Sequence, residues 1–441
     1  MPSWRNWCGS VVGRPTRIVR PTTGAEVTEA LQAPGRVRPV GAGHSSSAVA
    51  LAPETLLDLR GLDRILGLDA DRGTVRVQGG VTMRRLTAWL ATRGWILRHM
   101  GTSWYPTVAG ATATGTHGSG RWGSVSDASC LRGLSMVTPS GERLSLRDDR
   151  PGDLEVLEAA RTHLGALGVV IDAELAVERG TFMEVRQEPM QLEEALDPSH
   201  RDSSEHFEAW WVPYTTRAIG ISRNVVDAPL RGRRPLPRFI RRVVGEDLPI
   251  SLVSRLIRAR PGWGPPLMGQ MARFGARPSV SVGRWDRMAV GPRWLRGTSM
   301  EIALPASQGP EAVRRVAGVL AEVRDRAPHH LPINLRWVCA DRGALLSPAG
   351  GRETVFLDFT WWAGMPGWRR SLEAIEDVLM PLGGRPHWGK IAFRNPSAAY
   401  PDFARWARVR ARLDPEGRFL NPFMERLLDG RPLLDGREAQ A

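Results

Sequence analysis

The sequence predicts an α+β protein in two parts that meet near Thr181. Three observations carry that prediction. Short β-like runs alternate with glycine-rich turns up to about residue 180, and longer strand-like runs alternate with amphipathic helical patterns after it. A hydrophobic share of 42% beside 24% charged residues is the balance of a core-forming chain, not a disordered one. With 441 residues, and about 150 per domain as a soft prior, two or three domains are expected.

In the first part, GAEVTEALQA has the spacing of an amphipathic helix, and RVRPV, TLLDLRGL and GTVRVQGGV read as strands ended by turns. VTMRRLTAWLATRG reads as a helix closed by glycine. LSMVTPSGERLSL places a Pro-Ser-Gly turn between two strand-like runs. The second part has strand-like FMEVRQEPM, HFEAWWVPY, EIALP and TVFLDFTWW, with helical GPEAVRRVAGVLAEVRDR and WRRSLEAIEDVLMPLGG among them. A mixed or antiparallel sheet covered by helices follows from that alternation. The expected limits are 1–180 and 181–425, with a tail over 426–441.

The net charge of +14 admits an anionic partner, but most of the arginine is scattered. One region, 229–263, interleaves arginine with apolar residues; it reads as an extra surface helix, with contact to a membrane surface as the alternative. No zinc-finger spacing or basic zipper points to nucleic acid. Cys8, Cys130 and Cys339 are too few and too scattered for a disulfide framework and read as packing residues. No run approaches the roughly 18 apolar residues of a membrane span, and the N-terminus lacks the order of a secretory signal, so cytoplasmic residence is expected. The oligomeric state is left open.

Two loops are unusually rich in small residues. In RVRPVGAGHSSS, glycines at a strand exit allow backbone N–H groups to converge on an anion, although an ordinary tight turn has the same composition. TVAGATATGTHGSG, Thr107 to Gly120, either lets a backbone approach a ligand closely or is a flexible linker. Neither ends in the Gly-Lys-Ser/Thr of a nucleoside triphosphate loop. His44 and His117 have no third ligand at recognisable spacing, so no metal is expected, and His329-His330 reads as an exposed pair. Of 60 lysine and arginine residues only Lys390, in RPHWGKIAF, is lysine. A compact ammonium that can lose its proton when desolvated is what arginine cannot replace.

GAGHS, VAGATATGTHGSG, HLGALGVV, PHWGK and LDPEGRFLNPF, in this order along nearly the whole chain, resemble the FAD-linked oxidases of the vanillyl-alcohol oxidase type. Within these the chain is most similar to the alditol and aldonolactone oxidases. The resemblance implies a two-lobed PCMH-type FAD-binding domain and an α+β substrate domain. It implies FAD bonded covalently to His44 and lined by Pro39, Val40, Gly41, Ala42, Gly43, Ser45, Thr102, Thr107, Gly110, Thr114, Gly115, Thr116, His117, Val169, Val170 and His387. It assigns Thr102, Asn334, Arg336, Thr360 and Lys390 to the substrate, and Gly101 to the approach of oxygen. Asn334 departs from the family's Glu, which puts simple alditols in doubt as substrates.

The implied reaction takes hydride from a carbon bearing a hydroxyl and passes the electrons to O2, which leaves as hydrogen peroxide. Arg336 is then a fixed cation beside the reacting oxygen. Lys390, held beside another cation and away from water, is expected to have a lowered pKa and to accept or share the alcohol proton. The alternatives are a flavin dehydrogenase, a tailoring oxidase acting on a larger metabolite, and a basic binding protein with a vestigial flavin site.

Overall fold

The computed structural model describes residues 2–227, 248–274, 277–289, 297–362 and 367–434. Arg17–Val19 (β1), Val37–Val40 (β2) and Thr55–Asp58 (β3) form a parallel sheet with β3 in the middle. Parallel strands need a crossover, and Gly24–Gln32 (α1) supplies it. Thr23 caps this helix by accepting the Glu26 N–H at 3.2 Å, and Val27, Ala30 and Leu31 form its buried face.

Ile65–Asp69 (β4), Thr74–Gln78 (β5), Leu131–Val137 (β6), Arg143–Arg147 (β7) and Val169–Ala176 (β8) make an antiparallel sheet ordered β7-β6-β8-β5-β4. The Pro-Ser-Gly turn closes the expected hairpin, pairing Val137 with Arg143. Met83–Ala91 (α2) ends ahead of Gly94 as its pattern predicted. The small-residue run after Thr107 is not all loop, because Val108–Ala113 (α3) is a short helix capped by Thr107, whose Oγ1 accepts the Gly110 N–H at 3.2 Å. Its Ala109 packs with Val169 and Val170, so the small side chains allow a close approach of helix to sheet.

The second part is built on one eight-stranded sheet. Its strands are Phe182–Gln191 (β9), His206–Trp211 (β10), Arg217–Val226 (β11), Ser279–Arg284 (β12), Gly297–Pro305 (β13), Ile333–Val338 (β14), Thr354–Trp362 (β15) and Arg385–Pro386 (β16). They are ordered β12-β9-β11-β10-β14-β15-β13-β16, with every neighbour antiparallel. Side chains alternate between faces along each strand. One set, including Met300, Ile302, Leu335, Leu357 and Phe359, is buried against Gly309–Val323 and Trp368–Leu379, through Val313, Val316, Leu372 and Ile375. The other set, Glu208, Asn334, Arg336, Asp358, Ser299 and Glu301, is polar and equally buried. That face looks toward the first part.

His329 and His330 are not exposed. Both are buried, at 0% and 1% exposure, edge-on to Trp361 at 4.8 and 5.5 Å. The Tyr214 hydroxyl accepts the His329 N–H at 2.7 Å, and His330 Nε2 accepts the Trp362 N–H at 3.3 Å, which pins the pair inward. Of the three free cysteines only Cys130 is a core residue; Cys8 and Cys339 are half-buried. Residues 426–434 pack instead of trailing, with Leu427 and Leu433 buried. Much of the arginine-rich region lies outside the described residues, but its end forms the helix Leu248–Ala259, with Leu252 exposed. Among the described residues no helix is long and apolar enough to cross a membrane.

Ile375 is fully buried between the helix layer and the sheet. Ile375→Ala is expected to lower the unfolding free energy by about 2–5 kcal/mol, read from urea denaturation. An unshifted midpoint would contradict this packing.

Candidate active site

A cavity of about 250 Å³ lies between the two parts. One end is formed by the loop after β2, the first turn of α3 and His163–Gly165; the other is the polar face of the eight-stranded sheet. Two hydrogen bonds fasten these ends together. Ser46 N–H donates to the Gly389 carbonyl at 2.8 Å, and Ser47 Oγ donates to the Trp388 carbonyl at 2.7 Å. The loop bearing His44 and the loop bearing Lys390 are therefore joined directly.

At the first end, Gly41 has no room for a side chain, since a Cβ there would stand 1.9 Å from Thr107 Oγ1. This contact lets the β2 loop close against the start of α3. His44 stacks between Trp7 and Tyr105, with ring centroids at 4.9 and 5.2 Å. Burial pushes its pKa down to about 4, so the imidazole is neutral at pH 7 and one ring nitrogen keeps its lone pair. Arg38 is buried and donates to the carbonyls of Gly165, Leu164, Phe419 and Val49. Its Nε and His163 Nε2 are buried without hydrogen-bond partners, and both residues line the cavity.

At the other end, Arg336 on β14 is 3% exposed and is flanked by carboxylates from the strands on its other side. Its Nη2 bonds Glu301 on β13 and lies 3.4 Å from Asp358 Oδ2 on β15, while Nη1 is 3.4 Å from Thr102 Oγ1. Burial alone would raise the Glu301 pKa, but Arg336, then His117 and Lys390, outweigh it and hold the carboxyl well below its usual range. Burial likewise works against the Arg336 charge, and Glu301, Asp358 and Glu208 reverse that effect. Lys390 donates to Ser299 Oγ at 2.7 Å and Asp358 Oδ2 at 3.2 Å, with Glu301 Oε2 at 3.9 Å. Burial pushes His387 down to about 3, so its imidazole is neutral, and burial lowers His117 also, against the opposing pull of Glu301.

The structure brings nearly all the sequence-selected residues to this cavity. Pro39 to Ser45, Thr102, Thr107, Gly110, Thr114, Thr116, His117, Val170, Arg336, Thr360, His387 and Lys390 line it. Gly115, Val169 and Asn334 do not. Asn334 turns its amide to Glu208, Nδ2 to Oε2 at 3.2 Å. Gly101 lines a separate chamber of about 40 Å³ behind Thr102; a Cβ on it would meet Thr116 Cγ2 at 2.5 Å, which is a packing reason for glycine there. Lys390 stands beside Arg336 as expected, both reaching Asp358 Oδ2, but its surroundings are corrected in that the ammonium is in an ion pair with Asp358, close to Glu301, and its side chain is 23% exposed. Trp7, Arg38, Tyr105, His163, Ser299, Glu301 and Asp358 were missed. For the last three a signal existed, since Ser299, Glu301 and Asp358 are polar residues at every second position of otherwise apolar strands.

The residues fit a flavin dinucleotide. The close approach at Gly41, the small side chains of α3, and the unpartnered buried Arg38 Nε and His163 Nε2 form a cradle with a cation for an anionic ligand. Ligand atoms of His117, Glu301 and His387 lie within 4.8 Å of one another, a spacing that could hold a metal ion. Glu301 already pairs there with Arg336, which accounts for its charge without one.

Residues 15–147 match the family model of an FAD binding domain, and residues 173–427 that of D-arabinono-1,4-lactone oxidase. The chain is 34% identical to L-gulono-1,4-lactone dehydrogenase of Mycobacterium tuberculosis, covering 97% of this chain and 99% of that protein. It is 29% identical to alditol oxidase of a Streptomyces species (96% and 99% covered) and 26% identical to L-gulonolactone oxidase of Bos taurus (96% and 98%). Cholesterol oxidase from B. sterolicum superposes with a TM-score of 0.79 over 97% of this chain and 96% of that one, at 17% identity, which is a likeness of fold. The resemblance drawn from the motifs and the α+β class agree with these matches.

Burial pushes His163 and His330 down to about 4 and His387 to about 3. In an unfolded chain histidine titrates near about 6.5. Below that pH the unfolded state binds more protons than the folded one, so stability present above it is lost as pH falls toward 4. The thermal midpoint is expected to drop over this window, with proton uptake on unfolding detected calorimetrically in buffers of different ionisation enthalpy. A flat midpoint would contradict the neutral burial of these rings.

Proposed function

The chain belongs to the D-arabinono-1,4-lactone oxidase family, and on that premise we propose that it oxidises a CH–OH group of an aldonolactone or related sugar alcohol, using FAD bonded covalently to His44. The observation that carries this reading is the one cavity joining the Gly41 cradle and His44 to Arg336, Asp358 and Lys390. When bound, the flavin supplies a two-electron acceptor that takes hydride from the carbinol carbon and passes the electrons to O2, yielding hydrogen peroxide.

The chain's own residues bind, orient and stabilise. Residues 1–180 serve as the cofactor half, in which Pro39 to Ser45, Thr107, Gly110, Thr114 and Thr116 hold the dinucleotide and Arg38 faces its negative charge. Neutral His44, fixed between two aromatic rings, presents a nitrogen lone pair for the covalent bond. Residues 181–425 serve as the substrate half. A carbinol gives up hydride more readily as its oxygen gains negative charge, so cations placed at that oxygen lower the barrier. Arg336 and Lys390 fill this role, and Thr102 Oγ1, 3.4 Å from Arg336, orients the hydroxyl. Thr360 lines the same wall. The chamber behind Thr102 that Gly101 lines is the path assigned to oxygen.

A second reading, delivery of the electrons to an acceptor other than oxygen, is favoured by the name of the Mycobacterium tuberculosis relative, a dehydrogenase. Mixing reduced protein with oxygen in a stopped-flow instrument separates the two. Rapid reoxidation with stoichiometric peroxide supports the oxidase; sluggish reoxidation with brisk dye reduction supports the dehydrogenase.

His44→Ala is expected to move the yellow chromophore into the supernatant on acid precipitation, whereas the wild type keeps it in the pellet. A yellow wild-type supernatant would refute the covalent bond. Lys390→Arg is expected to retain flavin and lose turnover by about a hundredfold, because a guanidinium does not fit the compact position between Ser299 and Asp358. Turnover within a factor of about two of wild type would remove Lys390 from the mechanism.

A further inference from the structure

We propose that Asp358 is the residue that selects the substrate, binding one of its hydroxyls and admitting uncharged lactones in preference to the corresponding aldonates. This rests on the functional reading above and names the chemistry that its substrate end recognises.

Asp358 sits on β15, is 8% exposed and lines the cavity. Its two carboxylate oxygens have unlike surroundings. Oδ2 is held by Lys390 at 3.2 Å and Arg336 at 3.4 Å. Oδ1 is buried and has no hydrogen-bond partner among the described residues. A buried carboxylate oxygen without a donor is costly, and here it is also aimed by the two cations that fix its neighbour. No donor beside it bonds Oδ1: Lys390 donates to Ser299 and Oδ2, Arg336 to Glu301 and Oδ2, and Arg336 Nε, also buried, has no hydrogen-bond partner among the described residues. The missing partner is therefore a donor brought by a ligand, and a hydroxyl is one.

Charge points the same way. On this face Glu208, Glu301 and Asp358 stand against Arg223, Arg336 and Lys390, three formal charges of each sign. Each cation already has a carboxylate partner, so a substrate carboxylate would leave this face with an excess negative charge. The carboxylate of an aldonate would bring only acceptors to an oxygen that needs a donor, and would add a like charge beside it. Asn334 lies directly opposite Asp358 in the β14–β15 pairing, and its neutral amide puts no competing charge at that position.

The test uses the yellow holoprotein with an aldonolactone and its open aldonate. Two quantities are read: the change in the visible flavin spectrum on titration, and turnover with an artificial electron acceptor. Wild type is expected to prefer the lactone by about tenfold or more in kcat/KM. Asp358→Asn is expected to keep its flavin, raise KM for the lactone about tenfold with a smaller change in kcat, and lose most of the discrimination. Asp358→Glu, which retains the charge but displaces it by one methylene, guards against a variant that does not fold; it is expected to raise KM while still rejecting the aldonate. If Asp358→Asn retains flavin with KM unmoved, the partner of Oδ1 is water and the inference fails, as it does if wild type handles both compounds equally or if Asp358→Glu accepts the aldonate. A wild-type protein whose spectrum and turnover respond to neither compound overturns the functional reading itself. A responsive wild type with an unaffected variant overturns only the role of Asp358.

Discussion

A guanidinium buried in the middle of an eight-stranded sheet must be paired, and Arg336 sets the terms for everything around it. An unpaired charge at 3% exposure would be intolerable. Carboxylates from three other strands answer it: Glu208 on β10, Glu301 on β13 and Asp358 on β15. Each of these needs its own partners, and they come as Arg223, Lys390 and Asn334, with Ser299 Oγ accepting from Lys390 in turn. The result is one buried polar face whose members hold each other in place. Loosening any one of them exposes another to an unmatched charge.

That face is usable only because a second layer covers it without filling it. The first part supplies the cover through a strand-to-helix loop and a helix of very small residues, where Gly41 and Thr107 touch so closely that a methyl group would not fit. Contacts across the division keep the lid in register. Gly120 N–H donates to the Trp337 carbonyl at 2.6 Å, and Ser124 N–H to Asp341 Oδ1 at 2.7 Å. Trp285 Nε1 donates to the Trp95 carbonyl at 3.0 Å. The first two lie within and just after β14, so the strand that carries Arg336 is tied directly to the first part.

The lone lysine acquires a different meaning in this setting. It does stand beside Arg336, which shares Asp358 Oδ2 with it, but two carboxylates accompany the two cations. Its place between Ser299 and Asp358 makes it a brace that orients a carboxylate and a compact donor facing the cavity. An arginine there would spread its charge over a planar fork and overrun the space. The preference for lysine at 390 is thus a matter of size and placement as much as of proton chemistry.

Much was legible in the amino-acid order alone. The 3.6-residue and two-residue periods marked the helices and strands, the two small-residue loops marked one end of the cavity, and the uniqueness of Lys390 marked the other. These are local signals, written in neighbouring residues. What only the tertiary structure decided was pairing at a distance. Glu301 and Asp358 look like ordinary acidic residues until β13 and β15 lie side by side, Asn334 points into the cavity only until Glu208 on β10 claims its amide, and His329-His330 looks exposed until Trp361 covers it. Strand order and register place these groups, and both are set by long-range packing that no window of adjacent residues contains.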